Sequence, residues 1–281
     1  MRRNGFAVRT TTAVLPGGTR GLCASVSGVP SAEGSDTGKR RGPGSAEDAN
    51  TLDAQRGRAV EIIPGLHAVR LLGSKGYLIV DRELTLIDAG LRGSTPLLRW
   101  YLSRIGRQLT DITRIICTHG HPDHIGGVHE IAALSGAEVL MHPADTARLR
   151  ETRLRDLVQR PVPGHAGQLV AALTRAPADP RPLAHGEVLP ALGGLEVIHT
   201  PGHTPGSVCL YARRHRLLIV GDVLQVIRGR ISLPSHLFTE DMVAARGSIA
   251  RLAEMDVETI CFAHFPTWNG GVRDALRAIA A

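Results

Sequence analysis

The chain has 281 residues, of which 43% are hydrophobic and 21% charged, and this composition excludes a protein that is disordered throughout. No apolar run reaches the roughly 18–20 residues that a membrane span needs, so we expect no membrane association through a spanning helix. The four cysteines lie far apart with no C-x-x-C pair. Their spacing argues against a disulfide framework or a structural zinc ribbon and predicts a cytoplasmic protein.

The formal net charge of +7 is concentrated near the N-terminus. Residues 1–58 carry nine basic and five acidic side chains, which leaves 24 − 21 = +3 for the rest of the chain. Arginine supplies 31 of the 33 basic residues, as coding from a GC-rich genome would also produce. We therefore expect a small-molecule substrate and no nucleic-acid partner.

Residues 1–58 also differ in composition. They contain ten glycines, five serines and three prolines, and their apolar residues follow neither a helical nor a strand period. Such a segment buries too little apolar surface to offset the entropy of ordering, so we predict a disordered N-terminal extension. Pro16 interrupts the mildly apolar patch 13–15 too early for a secretory signal. Residues 59–281 are predicted to form one folded domain.

In that domain, short apolar runs alternate with segments of helical spacing. The predicted strands are 60–72, 77–80, 84–87, 112–117, 138–141, 195–199, 208–212, 217–220 and 257–262. The predicted helices are 95–105, 124–134, 144–158, 240–255 and 272–280. Five prolines predict a loop or lid-like insertion over 159–182. This alternation indicates the α/β class.

The most informative stretch directly follows the predicted buried strand 112–117. It contains His119, His121, Asp123 and His124 within six residues. In an extended chain His119 and His121 project to the same side and can bind one ion. Asp123 and His124, where the chain turns into a helix, can address a second ion. Imidazole and carboxylate ligands suit zinc, manganese or iron rather than a soft-metal thiolate site.

Three more candidate ligands follow predicted strands further along the chain. His203 lies in a Thr-Pro-Gly-His-Thr-Pro-Gly-Ser loop, Asp222 ends a Val-Gly-Asp segment, and His264 follows the last strand. Ligands collect at strand ends in α/β sheets, so these side chains could converge on one edge of a pair of sheets.

The four motifs, in this order, resemble the metallo-β-lactamase superfamily of hydrolases from Val60 to the C-terminus. The resemblance implies an α/β fold, a four-layer αββα sandwich with two metal ions in a cleft at one edge. It implies one ion bound by His119, His121 and His203, a second bound by Asp123, His124 and His264, and Asp222 bridging both.

Asp88, in Leu-Ile-Asp-Ala-Gly, matches the acidic residue that ends an early strand in this superfamily. Its implied role is to accept a hydrogen bond from a ligand histidine, and turn capping is the alternative.

The superfamily commonly has glycine after the last histidine, whereas His264 is followed by Phe265. We expect Phe265 to narrow the cleft or to displace His264. The loop 224–238 carries Arg228 and Arg230, which could anchor an anionic substrate.

The chemistry follows from two cations about 3.5–4 Å apart, which can share a hydroxide and lower its pKa towards about 7. Asp222 and Asp123 are the predicted catalytic carboxylates: Asp222 holds the ions, and Asp123 orients the hydroxide and passes a proton to the leaving group. Zinc is the expected metal, with manganese or iron as alternatives.

Asp222 resembles the bridging carboxylate of the glyoxalase II and lactonase-like branch, which true β-lactamases usually lack. Only 281 − 264 = 17 residues follow His264, so we expect no C-terminal glutathione-binding domain. The sequence thus predicts a dinuclear hydrolase of a small ester, thioester or lactone. The alternatives are a mononuclear-iron persulfide dioxygenase, which would use His119, His203 and Asp222, and a binding protein with a vestigial site.

Overall fold

The structure, a computed structural model, describes residues 60–151 and 177–280. The strands in these ranges are β1 Val60–Ile63, β2 Leu66–Arg70, β3 Lys75–Val80, β4 Leu84–Ile87, β5 Ile112–Ile116, β6 Glu138–Met141, β7 Arg181–Pro182, β8 Val188–Leu189, β9 Leu195–His199, β10 Val208–Ala212, β11 Leu217–Ile219, β12 Gln225–Ile227, β13 Arg230–Ser232, β14 Thr259–Cys261 and β15 Trp268–Asn269. The helices are α1 Thr95–Arg104, α2 Pro122–Ile125, α3 Val128–Ser135, α4 Pro143–Glu151, α5 Met242–Ala253 and α6 Val272–Ala280.

Two sheets form the centre of the fold. The first has seven strands in the order β1 to β7, antiparallel from β1 to β4 and parallel from β4 to β7. The second has six strands in the order β15-β14-β11-β10-β9-β8. In it β11 and β14 run parallel, and β10 runs antiparallel to both β9 and β11. The carboxyl ends of β9, β11 and β14 therefore lie at one edge.

Alternating side chains of the strands separate three apolar layers. Tyr77 and Ile79 face the layer between the two sheets, whereas Leu78 faces the layer beneath α1 and α3. In the second sheet Leu210 faces the middle layer, and Tyr211 faces the layer beneath α5 and α6. Because strand side chains alternate with a period of two, each sheet is buried on both faces. The predicted four-layer αββα sandwich is confirmed.

The structure corrects several predicted elements. The predicted strand 60–72 is two strands, since Gly65 adopts a φ of +82° in the turn between β1 and β2. The predicted helix 124–134 is interrupted between α2 and α3, because the Gly127 amide donates to the carbonyl of Gly90 at 3.0 Å rather than within a helix. Part of the predicted loop 224–238 forms the hairpin β12–β13.

Other predictions are confirmed or lie outside the described residues. Cys117, Cys209 and Cys261 are buried, as predicted, and burial raises the pKa of Cys209 and Cys261 to about 12. The predicted extension 1–58 and the larger part of the predicted loop 159–182 fall outside the described ranges. Within those ranges no helix is both long enough and apolar enough to cross a membrane.

Candidate metal centre

The predicted site residues lie where the two sheets meet. His119 and His121 follow β5 of the seven-stranded sheet, and His203 and Asp222 follow β9 and β11 of the six-stranded sheet. A backbone hydrogen bond of 2.9 Å from the Val208 amide to the Thr118 carbonyl joins the sheets at this edge. The strand ends thus bring residues separated by more than a hundred positions into one cleft.

Four residues form a first group, defined here as the inner group. The ligand atoms of His119, His121, His203 and Asp222 all lie within 4.8 Å of one another. Nε2 of His203 lies 3.0 Å from Nδ1 of His121, and Nε2 of His203 lies 3.6 Å from Oδ2 of Asp222. The three imidazoles are buried. Their nitrogens therefore converge on one small volume.

A second group, the outer group, consists of Asp123, His124 and His264, whose ligand atoms also lie within 4.8 Å of one another. Nε2 of His264 lies 3.2 Å from Oδ2 of Asp123 and 3.4 Å from Nε2 of His124. His124 is fully buried, whereas the other two side chains are partly exposed. Asp123 and His264 therefore border solvent.

Asp222 contacts both groups through different oxygens. Its Oδ2 lies 4.0 Å from Nε2 of His119 and 3.6 Å from Nε2 of His203. Its Oδ1 lies 3.4 Å from Nε2 of His124 and 3.2 Å from Nε2 of His264. Asp222 therefore lies between the two groups and faces each of them with a different oxygen.

The pKa shifts of two inner histidines favour metal ligation. Burial and the neighbouring imidazoles hold the pKa of His119 well below its usual range, and burial also lowers the pKa of His203. Nε2 of His119 is buried and has no hydrogen-bond partner among the described residues. A buried nitrogen without a partner, in a neutral ring aimed at three other donor atoms, fits a metal ligand.

The outer group has the opposite electrostatics. Burial disfavours the charged form of His264, but Asp123 and Asp222 outweigh it and raise its pKa to about 9. The carboxylates of Asp222 and Asp88 likewise outweigh burial and raise the pKa of His124 well above its usual range. Burial alone would raise the pKa of Asp222, yet the adjacent imidazoles hold it well below that of a free carboxyl. The carboxylate of Asp222 is therefore anionic at neutral pH.

Asp88 makes the contact that the resemblance implies. Its Oδ2 lies 2.8 Å from Nδ1 of His124 and accepts a hydrogen bond of 2.7 Å from the Thr118 hydroxyl. Its Oδ1 accepts from the Thr118 amide at 2.8 Å. Asp88 itself has a φ of +57°, a conformation that is unfavourable for a non-glycine residue. These bonds orient the ring of His124 and leave Nε2 facing the outer group.

Phe265 does not remove His264 from the cleft, contrary to one of the expected effects. The Lys75 ammonium donates to the Phe265 carbonyl at 2.5 Å, and the Lys75 amide donates to the Ala263 carbonyl at 2.9 Å. The ring of Phe265 packs edge-on against Phe262, with ring centroids 6.0 Å apart. Lys75 thus holds the backbone on both sides of His264.

One buried carboxylate near the ligands was not among the sequence predictions. Asp145, in α4, is fully buried and accepts hydrogen bonds from residues next to the inner histidines. A sequence signal for this residue was present, because Asp145 closely follows a parallel strand beside β5, in a His-Pro-Ala-Asp segment.

Arg228 and Arg230 lie exposed at the turn of the β12–β13 hairpin, and their role as substrate anchors stays a prediction.

Known proteins resemble the chain over this same region. Two uncharacterized relatives, from Bacillus subtilis and Aquifex aeolicus, are 33% and 31% identical, and the match covers 66% and 65% of their lengths. The probable metallo-hydrolase YflN of Bacillus subtilis is 28% identical over 80% of this chain and 93% of its own. Acyl-coenzyme A thioesterase MBLAC2 of Gallus gallus is 35% identical over 39% of this chain and 40% of its own.

Comparison of structures gives the same fold. A metallo-beta-lactamase family protein of Thermus thermophilus, TTHA1429, superposes with a TM-score of 0.63 over 78% of this chain and 79% of its own, at 24% identity. The model of the Metallo-beta-lactamase superfamily matches residues 69–264, which is more than half of the sequence. This chain therefore belongs to the metallo-β-lactamase superfamily.

Proposed function

We propose that the protein is a dinuclear metal-dependent hydrolase that cleaves a small ester, thioester or lactone. The observation that carries the proposal is the position of Asp222, whose two oxygens face the inner and the outer group. A single ion would need only one of these groups. The presence of both, with a carboxylate between them, supports two ions.

The donor set supports the choice of metal. Five imidazoles and two carboxylates are available, and the cysteines among the described residues belong to the apolar layers. This mixture favours zinc, with manganese and iron as the next candidates. The inner group would hold one ion and the outer group the other, with Asp222 shared between them.

When bound, the two ions would supply an activated hydroxide and Lewis-acid polarisation of the substrate carbonyl. The protein's own contribution is positioning and proton transfer. Asp123 faces the open side of the cleft, and its hydrogen bond with His264 helps to hold its pKa below the usual value despite burial. An anionic carboxylate there can take a proton from the nucleophile and deliver it to the leaving group.

The bond type rests on the chemistry of the site and on one relative. Ester, thioester and lactone cleavage all pass through a tetrahedral state whose developing charge two cations can neutralise. The Gallus gallus relative is named an acyl-coenzyme A thioesterase, which supports including thioesters. We therefore propose a small acyl compound as the substrate.

The test begins with metal analysis of the purified protein by inductively coupled plasma mass spectrometry. We expect about two zinc or manganese ions per chain, because the site presents two ligand groups. A panel of esters, thioesters and lactones should then be hydrolysed by the metal-loaded protein and not by the metal-free protein. One iron per chain, with oxygen uptake on a persulfide, would replace the proposal by the dioxygenase alternative. Two ions without hydrolysis of any panel member would contradict the proposed bond types.

A further inference from the structure

The inner histidines come from two different sheets, which poses a problem of positioning. His119 and His121 belong to the loop after β5, and His203 belongs to the loop after β9. Nδ1 of His121 and Nε2 of His203 must nevertheless lie 3.0 Å apart. Something between the two loops has to fix their separation.

The side chain of Asp145 lies between these loops. Its Oδ2 accepts a hydrogen bond of 2.6 Å from the amide of Gly120, the residue between His119 and His121. The same oxygen accepts from the hydroxyl of Thr204 at 2.8 Å, and Oδ1 accepts from the amide of Gly206 at 2.8 Å. The carboxylate of Asp145 therefore links the loop after β5 to the loop after β9.

The loop after β9 is shaped around this carboxylate. A Cβ atom on Gly206 would lie 2.5 Å from the Asp145 amide nitrogen and 2.7 Å from its Cβ, so only glycine allows this approach. The Thr204 hydroxyl, which donates to Asp145, lies 2.8 Å from the Ser207 hydroxyl, and the Thr204 amide donates to the same Ser207 oxygen at 3.0 Å. The Gly-His-Thr-Pro-Gly-Ser sequence thus supplies the candidate ligand His203 and also the groups that bind the carboxylate of Asp145.

The orientation of each ring is set by other groups. Nδ1 of His119 lies 3.1 Å from the Thr118 hydroxyl, and Nδ1 of His203 lies 3.3 Å from the Thr239 hydroxyl. These contacts fix how a ring is turned, whereas Asp145 fixes how far apart the two loops lie. Asp88, by contrast, contacts the ring of His124 itself.

We infer that Asp145 is a positioning residue that sets the geometry of the inner group, and with it the affinity for the ion held there. Partners behind metal ligands typically account for a 10- to 100-fold difference in metal affinity. The inference rests on the metal binding of the proposed function but not on the substrate or the reaction.

The informative substitution is Asp145→Asn. A carboxylate accepts all three hydrogen bonds, but an amide has one accepting oxygen and an NH₂ group that must face an N–H or O–H donor. At least one of the donors from Gly120, Thr204 and Gly206 loses its acceptor, while the size of the side chain is unchanged. Thr204→Val is the milder variant, since it removes one donor and leaves both backbone bonds.

The matched control is Asp81→Asn. Asp81 also links the two sheets, because its Oδ2 accepts from the Leu192 amide at 2.8 Å. It precedes β4 and therefore lies at the opposite edge of the sheet from the ligands. Asp81→Asn makes the same carboxylate-to-amide change at another contact between the sheets, where one accepting oxygen is enough. An effect of that change alone would appear in both variants, whereas loss of the positioning described here would affect only Asp145→Asn.

The experiment measures zinc affinity by competition with a chelator in wild type, both Asn variants and Thr204→Val. We expect one of the two ions to bind about 10- to 100-fold more weakly in Asp145→Asn, with a smaller loss in Thr204→Val and wild-type affinities in Asp81→Asn. In the metal-free proteins, hydrogen exchange at the amides of Gly120 and Gly206 should be faster in Asp145→Asn alone.

Equal zinc affinities in wild type and Asp145→Asn would overturn the inference, as would an equal loss in Asp81→Asn. If Asp145→Asn does not fold, Thr204→Val decides: reduced affinity supports the inference, and wild-type affinity contradicts it. Failure of the proposed function looks different, because a wild-type protein that binds two ions and hydrolyses nothing would leave this comparison intact.

Discussion

The inner and outer groups differ in their access to solvent. The side chains of His119 and His203 are 1% and 3% exposed, whereas those of Asp123 and His264 are 27% and 31% exposed. The inner ligands come from loops that also seal the junction of the two sheets. Asp123 and His264 of the outer group lie on the rim of the cleft, where a substrate would arrive.

The two groups also differ in charge. Burial favours the neutral form of His119 and His203, while neighbouring carboxylates outweigh burial and favour the protonated form of His124 and His264. A metal ion would have to displace protons from His124 and His264, but not from His119 and His203. If two ions bind as proposed, we expect the ion at the inner group to exchange more slowly than the ion at the outer group.

The largest effect is expected from Asp222→Asn, because Asp222 is the residue that both groups share. We expect kcat on the best substrate to fall by about three orders of magnitude, equal to about 4 kcal/mol of activation free energy. Circular dichroism should show an unchanged fold, and metal analysis should show fewer than two ions. Near-normal activity would mean that the groups do not work together. Asp256→Asn, at an exposed ion pair with Arg216, is the control.

Removing one histidine from each group separates their contributions. His203→Ala should abolish most of the rise in Tm that added zinc produces, because a bound ion stabilises the folded state in proportion to the logarithm of its affinity. His264→Ala should abolish a smaller part of this rise in Tm, and one ion should stay bound to the protein after mild chelation. Thermal scans with and without zinc test this order. A larger loss in His264→Ala would reverse the assignment of the tighter site.

The metal-free protein should show the charge of the outer group in its pH dependence. The neighbouring carboxylates, acting against burial, raise the pKa of His264 to about 9 from an ordinary value of 6.5. A raised pKa in the folded state contributes stability that is fully present below pH 6.5 and is lost as the pH rises through 9. The Tm difference between metal-free wild type and His264→Ala should therefore shrink across this window. A Tm difference that grows as the pH rises would contradict this prediction.

Much of the site could be predicted because its ligands are local in sequence. His119, His121, Asp123 and His124 share one turn between a strand and a helix, and each remaining ligand follows a strand end. A strand end fixes where a side chain lies in the sheet. The seven predicted ligands consequently come together in the two groups, with Asp88 on the ring of His124.

The parts that sequence reasoning missed depend on contacts between distant segments. Asp145 contacts Gly206, which is 61 positions away, and no periodic pattern encodes that pairing. The break between α2 and α3 arises from a hydrogen bond to Gly90 in another loop. Short strands such as β12 and β13, with three residues each, carry too few side chains to show an alternation. Local spacing predicted the ligands, and tertiary packing decides how they are held.

The smallest effect is expected from a substitution of Lys75, which contacts the backbone on both sides of His264. Lys75→Met removes the ammonium that donates to the Phe265 carbonyl but keeps the Lys75 backbone bond to Ala263. Leaving that carbonyl without its charged donor should lower the free energy of unfolding by about 1–2 kcal/mol in urea titrations. Because Phe265 adjoins His264, the outer ion should exchange faster while the inner ion is retained. If both ions were lost equally, the two groups would form one cooperative unit, and their difference in burial would not set their difference in affinity.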